Sequence, residues 1–270
     1  MPELPEVETT RRGIVPHVLG QVLSAVVVRE PRLRWPVAPD LGLRLTGQTL
    51  AAVERRGKYL LLRFAAGTVM LHLGMSGHLR LLSEDAPHGA HDHVDLVFGK
   101  LRLRLHDPRR FASVLWAGRQ PLSHPLLAHL GPEPLDPTFV GDYLHRRAQG
   151  RSLAIKQFLM DSSVVAGLGN IYANEALFGA GIHPLRAAGR TGLRRYRGLA
   201  STIQEVLEQA IEQGGTTLRD FLGSDGRPGY FEQRLWVYGR HGQPCVRCRC
   251  AIRRIRQGQR STFYCPKCQH

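Results

Sequence analysis

Cysteine is missing from the first 244 residues; all five thiols fall between Cys245 and Cys268. That distribution excludes a disulfide framework spanning the chain and suits a metal module kept in a reducing compartment. Carboxylates are scarce too: 22 Asp and Glu stand against 37 Lys and Arg, a formal net charge of +15, which points to a polyanionic partner. There is no apolar run of about 18 residues, so a transmembrane helix is excluded, and the first residues lack the basic-then-apolar layout of a secretory signal. The expectation is a cytoplasmic protein. With no basic amphipathic anchor to accompany the charge, nucleic acid ranks ahead of a membrane surface. Internal repeats and low-complexity tracts are absent as well.

What is present suffices for a substantial core, since 43% of the 270 residues are hydrophobic. From Pro2 to about Leu19 the pattern predicts a helix, with Pro and Glu crowding its first turn and Val7, Ile14 and Val18 near helical spacing. Short apolar runs then alternate with turn signals at Val22–Val28, Tyr59–Phe64, Val69–Leu73, Val94–Phe98, Leu101–Leu105 and Ala112–Trp116. That spacing predicts a β-sandwich or flattened barrel. Three prolines within Gly131–Pro137 can neither extend a helix nor pair in a central strand, and they mark a boundary. Beyond it the texture is helical, roughly 137–148, 153–159, 170–178, 193–213 and a short 218–222. Gly223–Gly229 reads as a mobile loop, and from Trp236 the chain is rich in Cys and Arg.

Cys245-x2-Cys248, sixteen intervening residues and Cys265-x2-Cys268 supply four thiolates in two knuckles, a spacing suited to one tetrahedral structural zinc ion. Cys250 is left over, because a C-x-C pair is the less usual knuckle. A module of about 35 residues buries little core of its own, so the metal should supply much of its folding free energy. Between the knuckles lie Arg253, Arg254, Arg256 and Arg260, which predict a cationic hairpin able to neutralise phosphates.

Met1 precedes Pro2, a small residue that permits removal of the initiator methionine and would expose a secondary amine. An α-amino group has a pKa of about 8, and a helix N-terminus lowers it, so a nucleophilic fraction exists near pH 7. Gly167-Leu168-Gly169-Asn170 leads into Ile171–Glu175, where Asn170 can cap a helix start that binds an anion. Gly74-Met75-Ser76-Gly77 and Asp107-Pro108-Arg109-Arg110-Phe111 read as loops that push a large side chain outward, and such wedges can replace an extruded base, although by residue type alone Met75 and Phe111 are more often core.

Together these pieces resemble the formamidopyrimidine-DNA glycosylase family along the whole chain. The opening Pro2-Glu3-Leu4-Pro5-Glu6-Val7-Glu8, then Arg56-Gly57-Lys58-Tyr59-Leu60, His72-Leu73-Gly74-Met75-Ser76-Gly77, Asp107–Phe111, Gly169-Asn170 and the four-cysteine finger occur in the family's order. The resemblance implies an α+β protein: an N-terminal β-sandwich catalytic domain over 1–131, a helix-two-turns-helix DNA-binding domain over 132–222, a lesion-capping loop over 223–235 and a zinc-finger hairpin over 236–270. DNA would lie between the sandwich and the rest.

It implies further that Pro2 attacks the sugar of the damaged nucleotide, with Glu3 as proton donor, Lys58 supporting elimination and Arg260 gripping phosphates beside the lesion. Met75, Arg109 and Phe111 would fill the vacated stack and address the orphaned cytosine. His72, His91, Arg151, Asn170 and Tyr238 match DNA-contacting positions, while Lys156 and the loop from Gly223 to Tyr230 match parts that meet the flipped purine. Arg151 stands where the family often has lysine, which keeps the charge and changes the hydrogen-bonding fork. The implied partner is double-stranded DNA carrying oxidised purines or abasic sites, bound by a monomer. Two rivals are weighed: the sister glycosylase for oxidised pyrimidines, disfavoured by Leu4, Val7, Met75 and the Arg109–Phe111 wedge, and a non-catalytic lesion-binding protein, disfavoured by intact Pro2, Glu3 and Lys58.

Overall fold

A computed structural model of the chain describes residues 2–214 and 235–270. These fall into two compact units, one holding residues 2–128 and 213–214, the other 129–212 and 235–270. In the first, α1 (Leu4–Val18) precedes β1 (Ala25–Val28), α2 (Leu41–Leu45), β2 (Ala52–Arg56), β3 (Tyr59–Phe64) and β4 (Gly67–His72). There follow β5 (His78–Ser83), β6 (Asp92–Phe98), β7 (Leu101–His106), β8 (Ser113–Gly118) and α3 (Pro125–Ala128). The strands form two antiparallel four-stranded sheets, ordered β1-β6-β7-β5 and β2-β3-β4-β8. One core joins Val7, Ile14 and Val18 of α1 to Leu60, Leu62 and Leu71 of one sheet and Leu79, Leu96 and Leu105 of the other. This is the expected β-sandwich, with the N-terminal helix built into its core.

Helix α1 begins at Leu4, later than the apolar spacing implies, because Glu3 keeps extended backbone (φ −105°, ψ −169°) and serves as the cap. Its N–H donates to Oε2 of Glu6 at 2.8 Å, one half of a capping box that satisfies amides left open at the helix start. Strands β2 and β5 escape the sequence pattern, since Ala52–Arg56 and His78–Ser83 each bury only part of their side chains. The expected strand start at Val22 shrinks to an isolated bridge with Thr49.

A largely buried ion cluster joins β6 and β7 to Arg29, the residue that follows β1. Asp95, with no exposed surface, accepts from Arg29 at 2.7 Å, Arg104 at 2.9 Å and Arg102 at 3.3 Å. Burial raises its pKa, but the hydrogen bonds from Arg29 and Arg104 and their charges outweigh that and hold it at about 2.

In the second unit α4 (Gly141–Ala148), α5 (Ile155–Leu159), α6 (Asn170–Gly179) and α7 (Leu193–Glu212) precede β9 (Arg253–Gln257) and β10 (Arg260–Tyr264). Helix α4 starts four residues after the expected Pro137, because Asp136 accepts from the Thr138 amide at 2.8 Å and closes a turn there. At Gly141 a Cβ would stand 2.3 Å from Cα of Arg197, so only glycine lets α4 approach α7 this closely. The hairpin β9–β10 belongs to a small core of Val237, Cys245, Ile252, Phe263 and Cys265 that Phe178 of α6 completes. The predicted helix 218–222 and the loop 223–229 lie outside the described residues. Among those described, no helix is long and apolar enough to cross a membrane.

The lowered pKa of Asp95 carries a pH dependence. The folded value lies below the ordinary 3.8, so the stability it confers is complete above about pH 4 and is lost as pH falls toward 2. Thermal melts followed by circular dichroism should show Tm dropping across that window, and Asp95→Asn should lower Tm at neutral pH while flattening the acid limb.

Candidate functional site

Pro2 and Glu3 are buried at the start of α1, Glu3 with 1% of its surface exposed. One and a half turns on, Glu8 anchors the helix. Its carboxylate is shared by Arg11 at 2.8 Å, Arg12 at 2.9 Å and Arg55 at 3.3 Å. Burial raises the pKa of Glu8, and the hydrogen bonds from Arg11 and Arg12 overcome this, leaving it below the ordinary carboxyl value. Arg11 also reaches the carbonyl of Val53, and Arg55 donates to the carbonyl of Gly57 at 3.0 Å.

Gly57 and Lys58 form the two-residue turn between β2 and β3, with Gly57 at φ +58° as such a turn requires. A chain of hydrogen bonds thus runs from the helix that carries Pro2 and Glu3 to the turn that carries Lys58. In the sequence Glu8 was visible as an acidic helix position and Arg55 as one basic residue among many, and only the fold brings the two together. His72 stacks on Tyr59 with ring centroids 4.8 Å apart, and its Nδ1 accepts from the Gly74 amide at 3.0 Å. Burial, followed by the charges of Lys58 and Arg34, pushes its pKa down to about 4, so it is neutral near pH 7.

The two expected wedge loops stand side by side in the same unit. Met75 and Phe111 are each 41% exposed, and the Arg109 guanidinium lies 4.6 Å over the Phe111 ring. His91 is exposed, with its ring edge-on to His106 at 5.8 Å; His106 in turn pairs with Asp92 at 2.7 Å.

In the second unit two further pairs of expected residues meet, Arg260 with Lys156 and Asn170 with Tyr238. Arg260 opens β10 just past the Gly258–Gln259 turn and, with Lys156, lines a cavity of about 250 Å³. Lys156 is 99% buried, and its ammonium donates to the Ser261 carbonyl at 3.1 Å and Thr262 Oγ1 at 2.6 Å. It therefore fastens α5 to the hairpin that presents Arg260, a contact its place in the sequence did not signal. The Asn170 side chain does not cap α6: Gly169 is the extended cap and Asn170 the first helical residue. Its Oδ1 is buried without a partner among the described residues, and its amide nitrogen stands 3.5 Å from the Tyr238 hydroxyl.

Sequence reasoning missed Glu175, a buried carboxylate that accepts from the amides of Trp236, Val237 and Tyr238 at 2.6, 3.0 and 2.8 Å. Burial carries its pKa above the ordinary value in spite of those three donors. Asn174 does similar work, accepting from the Phe263 amide at 2.8 Å. Arg151 lies apart from this group, its guanidinium 5.7 Å from the ring of Phe158.

The sulfurs of Cys245, Cys248, Cys265 and Cys268 lie within 4.8 Å of one another, with Cys245–Cys268 at 3.9 Å and Cys248–Cys265 at 3.4 Å. A tetrahedron with zinc–sulfur bonds of about 2.3 Å has edges of roughly 3.8 Å, so the four thiolates fit zinc. Cys250 stays outside the set; its carbonyl accepts from the Cys245 amide at 2.8 Å, so its backbone shapes the knuckle. Arg247 lies 4.6 Å over the Phe178 ring and donates to the carbonyls of Phe178 and Gly179, closing the negative end of α6.

Residues 1–114 match the profile of the formamidopyrimidine-DNA glycosylase N-terminal domain, 130–222 that of the formamidopyrimidine-DNA glycosylase H2TH domain, and 242–270 the zinc finger found in FPG and IleRS. The chain belongs to the formamidopyrimidine-DNA glycosylase family. It is 63% identical to the formamidopyrimidine-DNA glycosylase of Methylococcus capsulatus and 59% identical to that of Syntrophotalea carbinolica, covering all of both chains. Among solved structures it is similar to the Lactococcus lactis Fpg in complex with DNA containing an abasic site, at 34% identity, TM-score 0.93 and full coverage of both chains. It is also similar to the Fpg protein of Thermus thermophilus, at 40% identity and TM-score 0.88 over 99% of this chain and 98% of that one.

As a member of that family the protein carries one structural zinc ion, held by the four thiolates. Metal analysis should return one zinc per chain for the native protein and for Cys250→Ala, and none for Cys248→Ala. Removing zinc with a strong chelator should weaken DNA binding while the β-sheet signal of the sandwich persists, because the finger draws on metal for its fold and the sandwich does not. Replacing Lys156 by Ala removes the donor that joins α5 to the Ser261 carbonyl and the Thr262 hydroxyl, a loss of about 1–3 kcal/mol that urea melts would register.

Proposed function

We propose that the chain is a bifunctional DNA glycosylase and AP lyase that removes oxidised purines, 8-oxoguanine and formamidopyrimidines, from duplex DNA and cuts the strand through a Schiff base on Pro2. The observation that carries this reading is the buried Pro2-Glu3 cap of α1, tied through Glu8 and Arg55 to the turn that bears Lys58. Full-length similarity to named formamidopyrimidine-DNA glycosylases supports it, as does the capture of the Lactococcus lactis Fpg on abasic-site and Fapy-dG DNA. The protein acts as a monomer in the cytoplasm, where reduced thiols remain available to zinc.

The secondary amine of Pro2 attacks C1′ of the damaged nucleotide as the glycosidic bond breaks and the base departs with its electron pair. The attached nitrogen sheds its proton, its lone pair expels the ring oxygen O4′ from C1′, and Glu3 supplies the proton that O4′ takes up, so the opened sugar is left as an iminium. An imine formed on proline has no N–H to lose and is necessarily cationic. It withdraws electrons from the sugar, so a proton at C2′ is lost and the 3′ phosphate leaves; a second elimination releases the 5′ phosphate. Lys58 holds the lesion site electrostatically while the base is displaced and supports these eliminations, and Arg260 grips the phosphates beside the lesion. Met75, Arg109 and Phe111 occupy the space from which the base was drawn, Arg109 facing the orphaned cytosine with donors suited to a base edge. His72, His91, Arg151, Asn170 and Tyr238 hold the DNA backbone, and Lys156 holds the finger hairpin in place.

Mass spectrometry of the purified protein should find Pro2 at the N-terminus, and borohydride should trap it on abasic duplex DNA with the crosslink mapping to Pro2. A processed N-terminus that never crosslinks would overturn the mechanism and leave a lesion-binding protein. Side by side, 8-oxoguanine duplexes should be cleaved faster than thymine-glycol duplexes; the reverse order would identify the pyrimidine-directed sister enzyme. Lys58→Ala should slow base removal about tenfold more than it slows cutting at a preformed abasic site, where the iminium itself drives elimination.

A further inference from the structure

The two wedge loops share a single buried hub. Asp107 has no exposed surface; its Oδ1 accepts from Ser76 Oγ at 2.7 Å and the Arg109 amide at 3.2 Å, and its Oδ2 accepts from the Ala112 amide at 2.7 Å. Its own carbonyl accepts from His93 Nε2 at 2.8 Å and from the Arg110 amide at 3.2 Å. Ser76 is the residue after Met75, and the Arg109 and Ala112 amides bracket Phe111. One carboxylate therefore holds the root of every side chain assigned to the vacated stack.

The loops also touch backbone to backbone. Gly74, at φ +66°, leaves so little room that a Cβ would stand 2.4 Å from the carbonyl carbon of Phe111. Arg110 takes φ +56°, a left-handed conformation that a non-glycine residue holds only where its surroundings impose it. Rigid roots thus carry half-exposed tips.

We propose that Asp107 is the positioning residue that locks the Gly74–Gly77 and Pro108–Phe111 loops into one body, so that Met75, Arg109 and Phe111 enter the duplex together. The inference rests on reading those three side chains as fillers of the space left by the extruded base. The advantage is preorganisation. Opening a stacked, paired base costs a few kcal/mol, and a wedge already ordered adds no further entropic cost to that step. The hub has to be a carboxylate because two of its three donors are main-chain amides that cannot become acceptors, whereas an asparagine offers a single acceptor oxygen.

The test compares Asp107→Asn, Ser76→Ala, Phe111→Ala and the Asp107→Asn/Phe111→Ala double variant in single-turnover assays. Substrates are duplexes with 8-oxoguanine opposite dC or dA and duplexes with a preformed abasic site, each with 2-aminopurine beside the lesion to report unstacking. Asp107→Asn should slow excision of 8-oxoguanine opposite dC by about tenfold or more, against less than about threefold for cutting at the abasic site. It should also slow the 2-aminopurine response and reduce discrimination between dC and dA. Ser76→Ala, which removes one bond and no backbone contact, should shift every readout the same way by less. In the Phe111→Ala background, Asp107→Asn should add little.

Additive losses in the double variant would overturn the proposal, since Asp107 would then act by another route. Equal losses on both substrates with an unchanged fluorescence response would also overturn it, reducing Asp107 to a stabiliser of the sandwich. If Phe111→Ala alone leaves excision and unstacking intact, the void-filling reading itself fails, and this inference fails with it.

Discussion

The position of Pro2, Glu3 and Lys58 depends on the carboxylate of Glu8, shared among Arg11, Arg12 and Arg55 beneath the N-terminal helix. The first residues of a domain fray unless something holds them. Here the capping box of Glu3 and Glu6 fixes the first turn, and Glu8 ties the second turn to the sheet. The donors around Glu8 are guanidiniums, whose planar forks lose little freedom when they engage a carboxylate. The same arginine that reads the helix also holds the carbonyl of Gly57, so helix and turn cannot drift independently.

The same device recurs wherever a surface group has to be held still. Asp95 gathers three arginines at the β1-β6-β7-β5 sheet, Asp107 gathers the wedge loops and Glu175 gathers three consecutive amides at the entrance to the finger. In a chain with so few carboxylates, several sit in the interior as hydrogen-bond hubs, which leaves the surface to Lys and Arg. A buried carboxylate is stable only when its lone pairs are met, and each of these is met by several donors. The arrangement serves both needs of a DNA-binding protein: rigid mounts inside, uncompensated positive charge outside.

The finger shows how a small module manages without a core of its own. Its two knuckles supply four thiolates, and the rest is borrowed: Phe178 of α6 fills its apolar centre, while Lys156 and Asn174 reach into β10. Arg254, Arg256 and Arg260 are left exposed on a hairpin that is held from behind. Helices and finger form one compact unit because their hydrogen bonds cross the join at many points.

Much of this was legible in the order of residues. The apolar runs of β3, β6 and β7, the helical spacing of α7 and the cysteine knuckles follow from local periodicity and side-chain chemistry, which a sequence carries directly. Strands β2 and β5 were not legible, because half-buried strands alternate too weakly to stand out. Nor was the cap of α6, where an extended Gly169 displaced Asn170. The sequence by itself determined the strongly apolar strands, the main helices, the zinc ligands and the sign of the surface charge. Only the tertiary structure decided which carboxylate meets which donor, for those partners lie tens of residues apart: Glu8 with Arg55, Ser76 with Asp107, Lys156 with Thr262. A hydrogen bond depends on distance and direction in space, and both come into being only when the chain has closed around its core.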